Sequence, residues 1–302
     1  MPAALGRASG FWEKLYFYQA QVWYHTINQD FRACYRYAQK WVDLFEQQPA
    51  LQESQTMLYI KGLHNLLAAL FNMQYYSKFS EVLRKLEDFS ASQTRRATPN
   101  TEALLFQYIW TNRINACFLE ARFTEGVEMV PELLEQLGEY KSQLDLHRTL
   151  VFYYKIACLY FGSGQYTQAI KYLNRIIDHK EQGLREDLQC FARILNLVAH
   201  FEAGQDAELE HQVRSVYQFL GKMNDQQPMQ VAVFQFLRRV GSVAPGQLRD
   251  EFSKLKARLE EIAAQPYERR PFLYFDIISW LESKLSGRSV QDVKQQKFLT
   301  MK

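Results

Sequence analysis

Apolar side chains along this chain recur every three to four residues in long runs, and the runs come in pairs. The clearest pair lies in YYKIACLYFGSGQYTQAIKYLNRIIDHKE, Tyr153 to Glu181, where two amphipathic stretches meet at Gly162-Ser163-Gly164-Gln165. A period of 3.6 marks a helix with one core-facing stripe. The same pattern predicts helices over 11–27 and 30–47, 52–72 and 76–90, 101–120 and 124–138, 144–161 and 166–180, and 185–203 and 206–222. A sixth pair is predicted over 228–240 and 246–264, the second member carrying Leu248, Phe252, Leu255, Leu259 and Ile262 as its apolar stripe. A last helix is expected over 271–285, opening at Pro271 and closing at Ser286-Gly287, because proline suits a first turn and glycine a C-terminal cap. No stretch alternates with the period of two that a half-buried strand requires, so no sheet is expected.

The residue opening each second helix serves as a register mark. The marks are Phe31, Tyr76, Phe123, Tyr166 and Asp206, at spacings of 45, 47, 43 and 40 residues. Three places after them come Cys34, Phe79, Gly126, Ala169 and Leu209, and four places further Ala38, Leu83, Val130, Leu173 and Val213. Both sets fall on one helical face, and three of the first five are small, as close helix packing requires. A single hairpin cannot bury its apolar face alone, so repetition implies stacking. The expected architecture is therefore an all-α solenoid of five to six antiparallel helix hairpins over residues 11–285. Residues 1–10 read as a disordered or linker segment and 286–302 as a flexible polar tail. Ser90 to Asn100 is small, polar and basic; it reads as an exposed loop between hairpins, with a domain break as the alternative.

The segment Tyr153 to Glu181 resembles a tetratricopeptide repeat. Tyr153, Ala157, Tyr160, Gly164, Tyr166, Ala169 and Leu173 match that motif in order. The resemblance extends over residues 11 to about 222, with a period longer than that family's roughly 34 residues. It implies a right-handed superhelix whose first helices line a concave surface, and it implies no enzyme. In that register the concave positions of the first hairpin are Tyr16, Gln19, Ala20, Trp23 and Thr26. Those of the second are Lys61, His64, Asn65, Ala68 and Phe71. The third supplies Tyr108, Thr111, Asn112, Asn115 and Phe118, and the fourth Val151, Tyr154, Lys155, Cys158 and Phe161. The peptide-groove candidates are Lys61, His64, Asn65, Tyr108, Asn112, Asn115, Tyr154 and Lys155. Amides can both donate to and accept from an extended peptide backbone, lysines can meet a carboxylate, and rings can take apolar side chains.

Catalytic chemistry finds no footing in the sequence. His25, His64, His147, His179, His200 and His211 form no HExxH pair and join no cysteine at metal-ligand spacing. There is no GxSxG elbow and no glycine-rich phosphate loop. No catalytic residue, cofactor or metal is expected. Lysine and arginine exceed aspartate and glutamate by only three, so the charge balance requires neither nucleic acid nor an anionic membrane. The pairs Arg95-Arg96, Arg238-Arg239 and Arg269-Arg270 read as surface charge. The scattered Cys34, Cys117, Cys158 and Cys190 read as small core residues in a reducing, cytoplasmic setting. No apolar stretch reaches the length of a membrane span, and no secretory signal is visible at the N-terminus.

Composition changes the picture in one place. Phe11, Trp12, Tyr16, Phe17, Tyr18, Trp23, Tyr24, Phe31, Tyr35, Tyr37 and Trp41 crowd the first hairpin. Aromatics on nearly every face of one helix exceed what a terminal hairpin can bury. An upstream repeat, or a partner or second copy, would cover them; packing in the chain's own core is the remaining alternative. The expected function is a non-enzymatic scaffold that holds a peptide or partner segment in its concave groove. The alternatives are a regulatory or sensor module from the C-terminal part of a longer protein, and a homodimer built through the aromatic N-terminal helices.

Overall fold

Five turns along the chain share one backbone geometry. Gln29, Gln74, Ala121, Gly164 and Gly204 all have positive φ, between 53° and 80°, and each stands two residues before a register mark. In four of these turns the next N–H reaches back to the helical carbonyl five residues before it. These bonds are Asp30 N to His25 O at 2.9 Å, Tyr75 N to Leu70 O at 3.0 Å, Gln165 N to Tyr160 O at 2.8 Å and Gln205 N to His200 O at 3.1 Å. This is the Schellman closure, in which a left-handed residue ends one helix and satisfies its orphan carbonyls. Glycine adopts that conformation without strain at 164 and 204; glutamine and alanine do so at a cost of about 1–2 kcal/mol each.

A computed structural model describes residues 10–93, 98–179, 186–220, 228–240, 243–265 and 275–301. Among the described residues the protein is all helical, with no strand. Its packing divides into two units, Met1–Leu119 and Glu120–Lys302.

The first unit contains α1 (Phe11–Ile27), α2 (Phe31–Glu46), α3 (Pro49–Ser54), α4 (Thr56–Met73), α5 (Tyr76–Gln93) and α6 (Pro99–Glu120). Asp30 caps α2 by accepting from Ala33 N at 3.0 Å. The stripe Cys34, Ala38, Trp41 and Phe45 then faces inward. Helix α2 packs on both α1 and α4, and α4 on α5. Helix α2 approaches α4 tightly at Gly62, where a Cβ would lie 3.1 Å from the Trp41 indole. The helix expected over 52–72 starts later, because the non-helical Gln55 (φ −122°, ψ 39°) separates α3 from α4. Helix α5 runs to Gln93 and α6 begins at Pro99, so the expected loop over 90–100 is shorter; Arg95-Arg96 lies outside the described residues.

The second unit contains α7 (Phe123–Glu128), α8 (Val130–Glu139), α9 (Leu146–Gly162), α10 (Tyr166–Ile177), α11 (Glu186–Glu202), α12 (Asp206–Leu220), α13 (Pro228–Val240), α14 (Leu248–Ala263), α15 (Ile277–Ser286) and α16 (Val290–Met301). The single helix expected over 124–138 is two, α7 and α8. Pro131 sits in the first turn of α8, where it lacks the N–H that a continuous helix would need for the carbonyl four residues back. Gly162 receives the Phe123 ring so closely that a Cβ there would lie 2.4 Å from the ring. Phe161 and Trp280 anchor the core at about 1% exposure or less. Arg269-Arg270 and Pro271 lie outside the described residues; the last predicted helix is seen as α15.

The expected flexible tail over 286–302 is instead helix α16. Ser289 Oγ accepts from Asp292 N at 3.0 Å, which caps its first turn. Val290 and Val293 are buried. Gln291 Oε1 accepts from the Thr124 N–H at 3.0 Å and its hydroxyl at 3.1 Å, and Gln295 Nε2 donates to the Ala121 carbonyl at 3.3 Å. The apolar content of this stretch is low, so a periodicity search passes over it; its anchoring is largely polar.

Candidate functional site

The groove candidates of the first unit meet across α4 and α6. The His64 and Tyr108 rings stack with centroids 3.8 Å apart and planes 1° from parallel. Asn112 Nδ2 donates to the Tyr108 carbonyl at 2.7 Å and lies 3.3 Å from His64 Nδ1. Asn115 Nδ2 approaches Asn112 Oδ1 at 3.5 Å. Asn65 turns back on its own helix and donates to the Lys61 carbonyl at 2.7 Å. Asn65 and Asn112 therefore bond back onto the helices that carry them.

Exposure falls helix by helix along the expected concave stripe. On α1, Tyr16, Ala20, Trp23 and Thr26 are exposed and Gln19 is half-buried. On α4, Lys61, His64, Asn65 and Ala68 are half-buried and Phe71 is buried. On α6, Tyr108, Asn112, Asn115 and Phe118 are buried, with Thr111 between. In the second unit Tyr154, Lys155, Cys158 and Phe161 are buried as well. The open amide and lysine stripe expected along the second, third and fourth hairpins is thus corrected. Tyr108, Asn112 and Asn115 in the first unit, and Tyr154 and Lys155 in the second, are each packed inside their own unit and do not line an open wall.

Burial governs the chemistry of Lys155. Desolvation lowers its ammonium to about 7, against an ordinary 10.5, with the neighbouring Cys158 opposing. The same burial pushes the Cys158 thiol up to about 12. Lys294 of α16 is lowered by desolvation too, with the Asp276 carboxylate opposing first. Sequence reasoning missed Lys294 and its neighbourhood; the Ser289-x-x-Asp292 cap was the signal for the helix that carries it.

A cleft of about 340 Å³ opens in the second unit beside Tyr166, Glu202, Lys284, Arg288 and Gln291. Its charges are already engaged. Glu202 accepts from Trp280 Nε1 at 2.8 Å and pairs with Lys284 Nζ at 2.9 Å. Burial first, and the Glu202 carboxylate second, push the Tyr166 hydroxyl up to about 12. Arg288 is bonded to Gln296 and to the Asp292 carbonyl. Among the described residues no three His, Cys, Asp or Glu side chains gather as a metal site would require, and no helix is long and apolar enough to cross a membrane.

The feature that stands out is the outer face of α1. Leu15 and Val22 bury the inner face against α2. Outward, Trp12 is 42% exposed, Tyr16 and Trp23 57%, and Ile27 80%. At about 100° per residue these four lie within an arc of about 60°. Tyr24 flanks them, also 57% exposed. Of the crowded aromatics, Trp41 is core and Phe11 meets Phe45 edge-on at 5.1 Å, so the surplus is concentrated on this one strip. Trp12 extends the stripe read from sequence by one turn at its start, and Ile27 follows its last member, Thr26. Compared with protein-family models, curated proteins and solved structures, the chain matches none.

Proposed function

We propose that this chain is a non-enzymatic helical interaction module of tetratricopeptide-like stacked hairpins, and that a protein partner covers the outer face of α1. One observation carries the reading: Trp12, Tyr16, Trp23 and Ile27 form a continuous exposed apolar strip. Water-exposed aromatic surface of this extent on one helix is a standing driving force for association. Tryptophan and tyrosine are also the side chains most often found as binding hot spots. Lys61, His64 and Asn65, half-buried on α4, are the part of the expected polar stripe that a partner could still reach. The five repeated turns support a solenoid, in which first helices present such a face. The four cysteines, buried with free thiols, support a reducing, cytoplasmic setting.

The test is a photo-reactive phenylalanine analogue placed at Trp23 in the full chain, in the expressing cells, with Glu261 as an exposed control. A discrete cross-linked species is expected at position 23, absent at 261 and lost when Tyr16→Ser is added. No adduct above the control, or equal adducts at both positions, would overturn the reading.

A further inference from the structure

The exposed strip of α1 reads nearly the same in both directions. Its members are Trp12, Tyr16, Gln19, Ala20, Trp23 and Ile27. Reversing the helix about the point between Gln19 and Ala20 exchanges Trp12 with Ile27, Tyr16 with Trp23, and Gln19 with Ala20. Large apolar groups therefore map onto large apolar groups, and the smaller pair maps onto itself. A two-fold axis makes this demand of a self-complementary surface: each residue must suit the one its symmetry mate presents. Ala20 at the centre lets two helix backbones come close, while the rings on either side overlap the other copy's rings. The acidic and basic side chains of α1 are Glu13, Lys14 and His25, and none falls inside the arc. No like charges therefore meet across the axis.

Area agrees with the geometry. Taking about 150–250 Å² for a whole aromatic side chain, the exposed fractions of the strip amount to roughly 500 Å² per chain. Two copies would bury about 1,000 Å² in total, the lower bound for a specific protein interface. The strip is thus large enough for a modest, reversible dimer.

We propose that the partner of the α1 face is a second copy of this chain, paired antiparallel about the Gln19–Ala20 midpoint. This inference rests on the reading of α1 as the interaction surface. It further identifies the occupant and the orientation. Tyr16 of one copy packs on Trp23 of the other, twice, around the closely approaching Ala20 pair.

Sedimentation velocity on the purified full chain, from about 1 to about 100 µM, tests the occupant. The expected species rises with concentration from 35.7 kDa to twice that mass. Trp23→Ser should raise the dissociation constant at least about 30-fold, and Ile27→Lys, at a position 80% exposed, should do the same without touching the core. Glu261→Ser should leave it unchanged. Cysteine cross-linking tests the orientation, since the four native thiols are buried. Ala20→Cys should oxidise to a covalent dimer. Glu13→Cys should not, because antiparallel pairing holds the two copies of residue 13 roughly 20 Å apart along the axis, beyond disulfide reach. Efficient cross-linking through Glu13→Cys would overturn the antiparallel arrangement. A monomer at every concentration would overturn the second copy as occupant. If the adduct at Trp23 in cells is then a different protein, the interaction surface still stands; if there is no adduct, both readings fall.

Discussion

Helices α1 and α16 pose opposite problems. Helix α1 carries Phe11, Trp12, Tyr16, Phe17, Tyr18, Trp23 and Tyr24, and leaves one whole side uncovered. Helix α16 carries a single aromatic, Phe298, and is docked. Two valines, the Gln291 and Gln295 bonds, and Lys297 with Ser279 Oγ at 2.9 Å and Glu282 at 2.7 Å hold it in place. Apolar content thus measures how much cover a helix needs, not how much it has. Docking is decided by whether particular groups find their counterparts.

That contrast can be broken most forcefully at α16. Ending the chain at Arg288 should cost about 3–6 kcal/mol, the burial of Val290 and Val293 at about 1.5–3 kcal/mol each. Urea unfolding measures this, and a loss below about 1 kcal/mol would show that the helix is not docked.

The next effect belongs to Lys155. Its folded ammonium is lowered to about 7 from an ordinary 10.5, so between those values the unfolded chain binds the additional proton. Stability from this group should therefore be highest above about pH 10.5 and fall as the pH drops to about 7, by up to about 1.4 kcal/mol per pH unit. Chemical unfolding across that range should show the slope in the wild type and a flatter one in Lys155→Met; equal slopes would place the lysine in water.

Gly162→Ala should cost about 1–3 kcal/mol, because its Cβ meets the Phe123 ring over which Lys294 of α16 sits at 5.6 Å. Gly62→Ala should cost less, since Trp41 stands 3.1 Å away. Equal losses would mean that the second slot relaxes freely. The smallest effect returns to α1. Trp23→Ser should change the unfolding free energy of the monomer by no more than about 0.5 kcal/mol, while weakening association at least about 30-fold. A large loss of monomer stability would mean that the strip is held by its own chain.

Helix positions were legible because a 3.6-residue apolar repeat leaves a direct trace in sequence. All five register marks open a helix: Phe31, Tyr76, Phe123, Tyr166 and Asp206. The boundary within 124–138 was also written there, in Pro131, but the apolar stripe continues across it and hides the break. Helix α16 was missed because its contacts are polar and distant in sequence; Gln295 meets Ala121 at a separation of 174 residues. The stripe on α4 and α6 was placed on the correct helices but given the wrong surroundings. Periodicity says which residues share a face. It does not say that the stacked rings of His64 and Tyr108 close over Asn112.

The repeated left-handed turn has a practical consequence for remodelling the chain. Its five copies keep one geometry while the repeat length drifts between 40 and 47 residues, so the drift is absorbed at helix ends and in the links between hairpins. Extra residues, a tag or a grafted epitope belong in those links. A single residue added between Asn28 and Asp30 would instead pull the Asp30 N–H away from the His25 carbonyl and loosen the junction that sets where the Asp30 cap, and with it α2, begins.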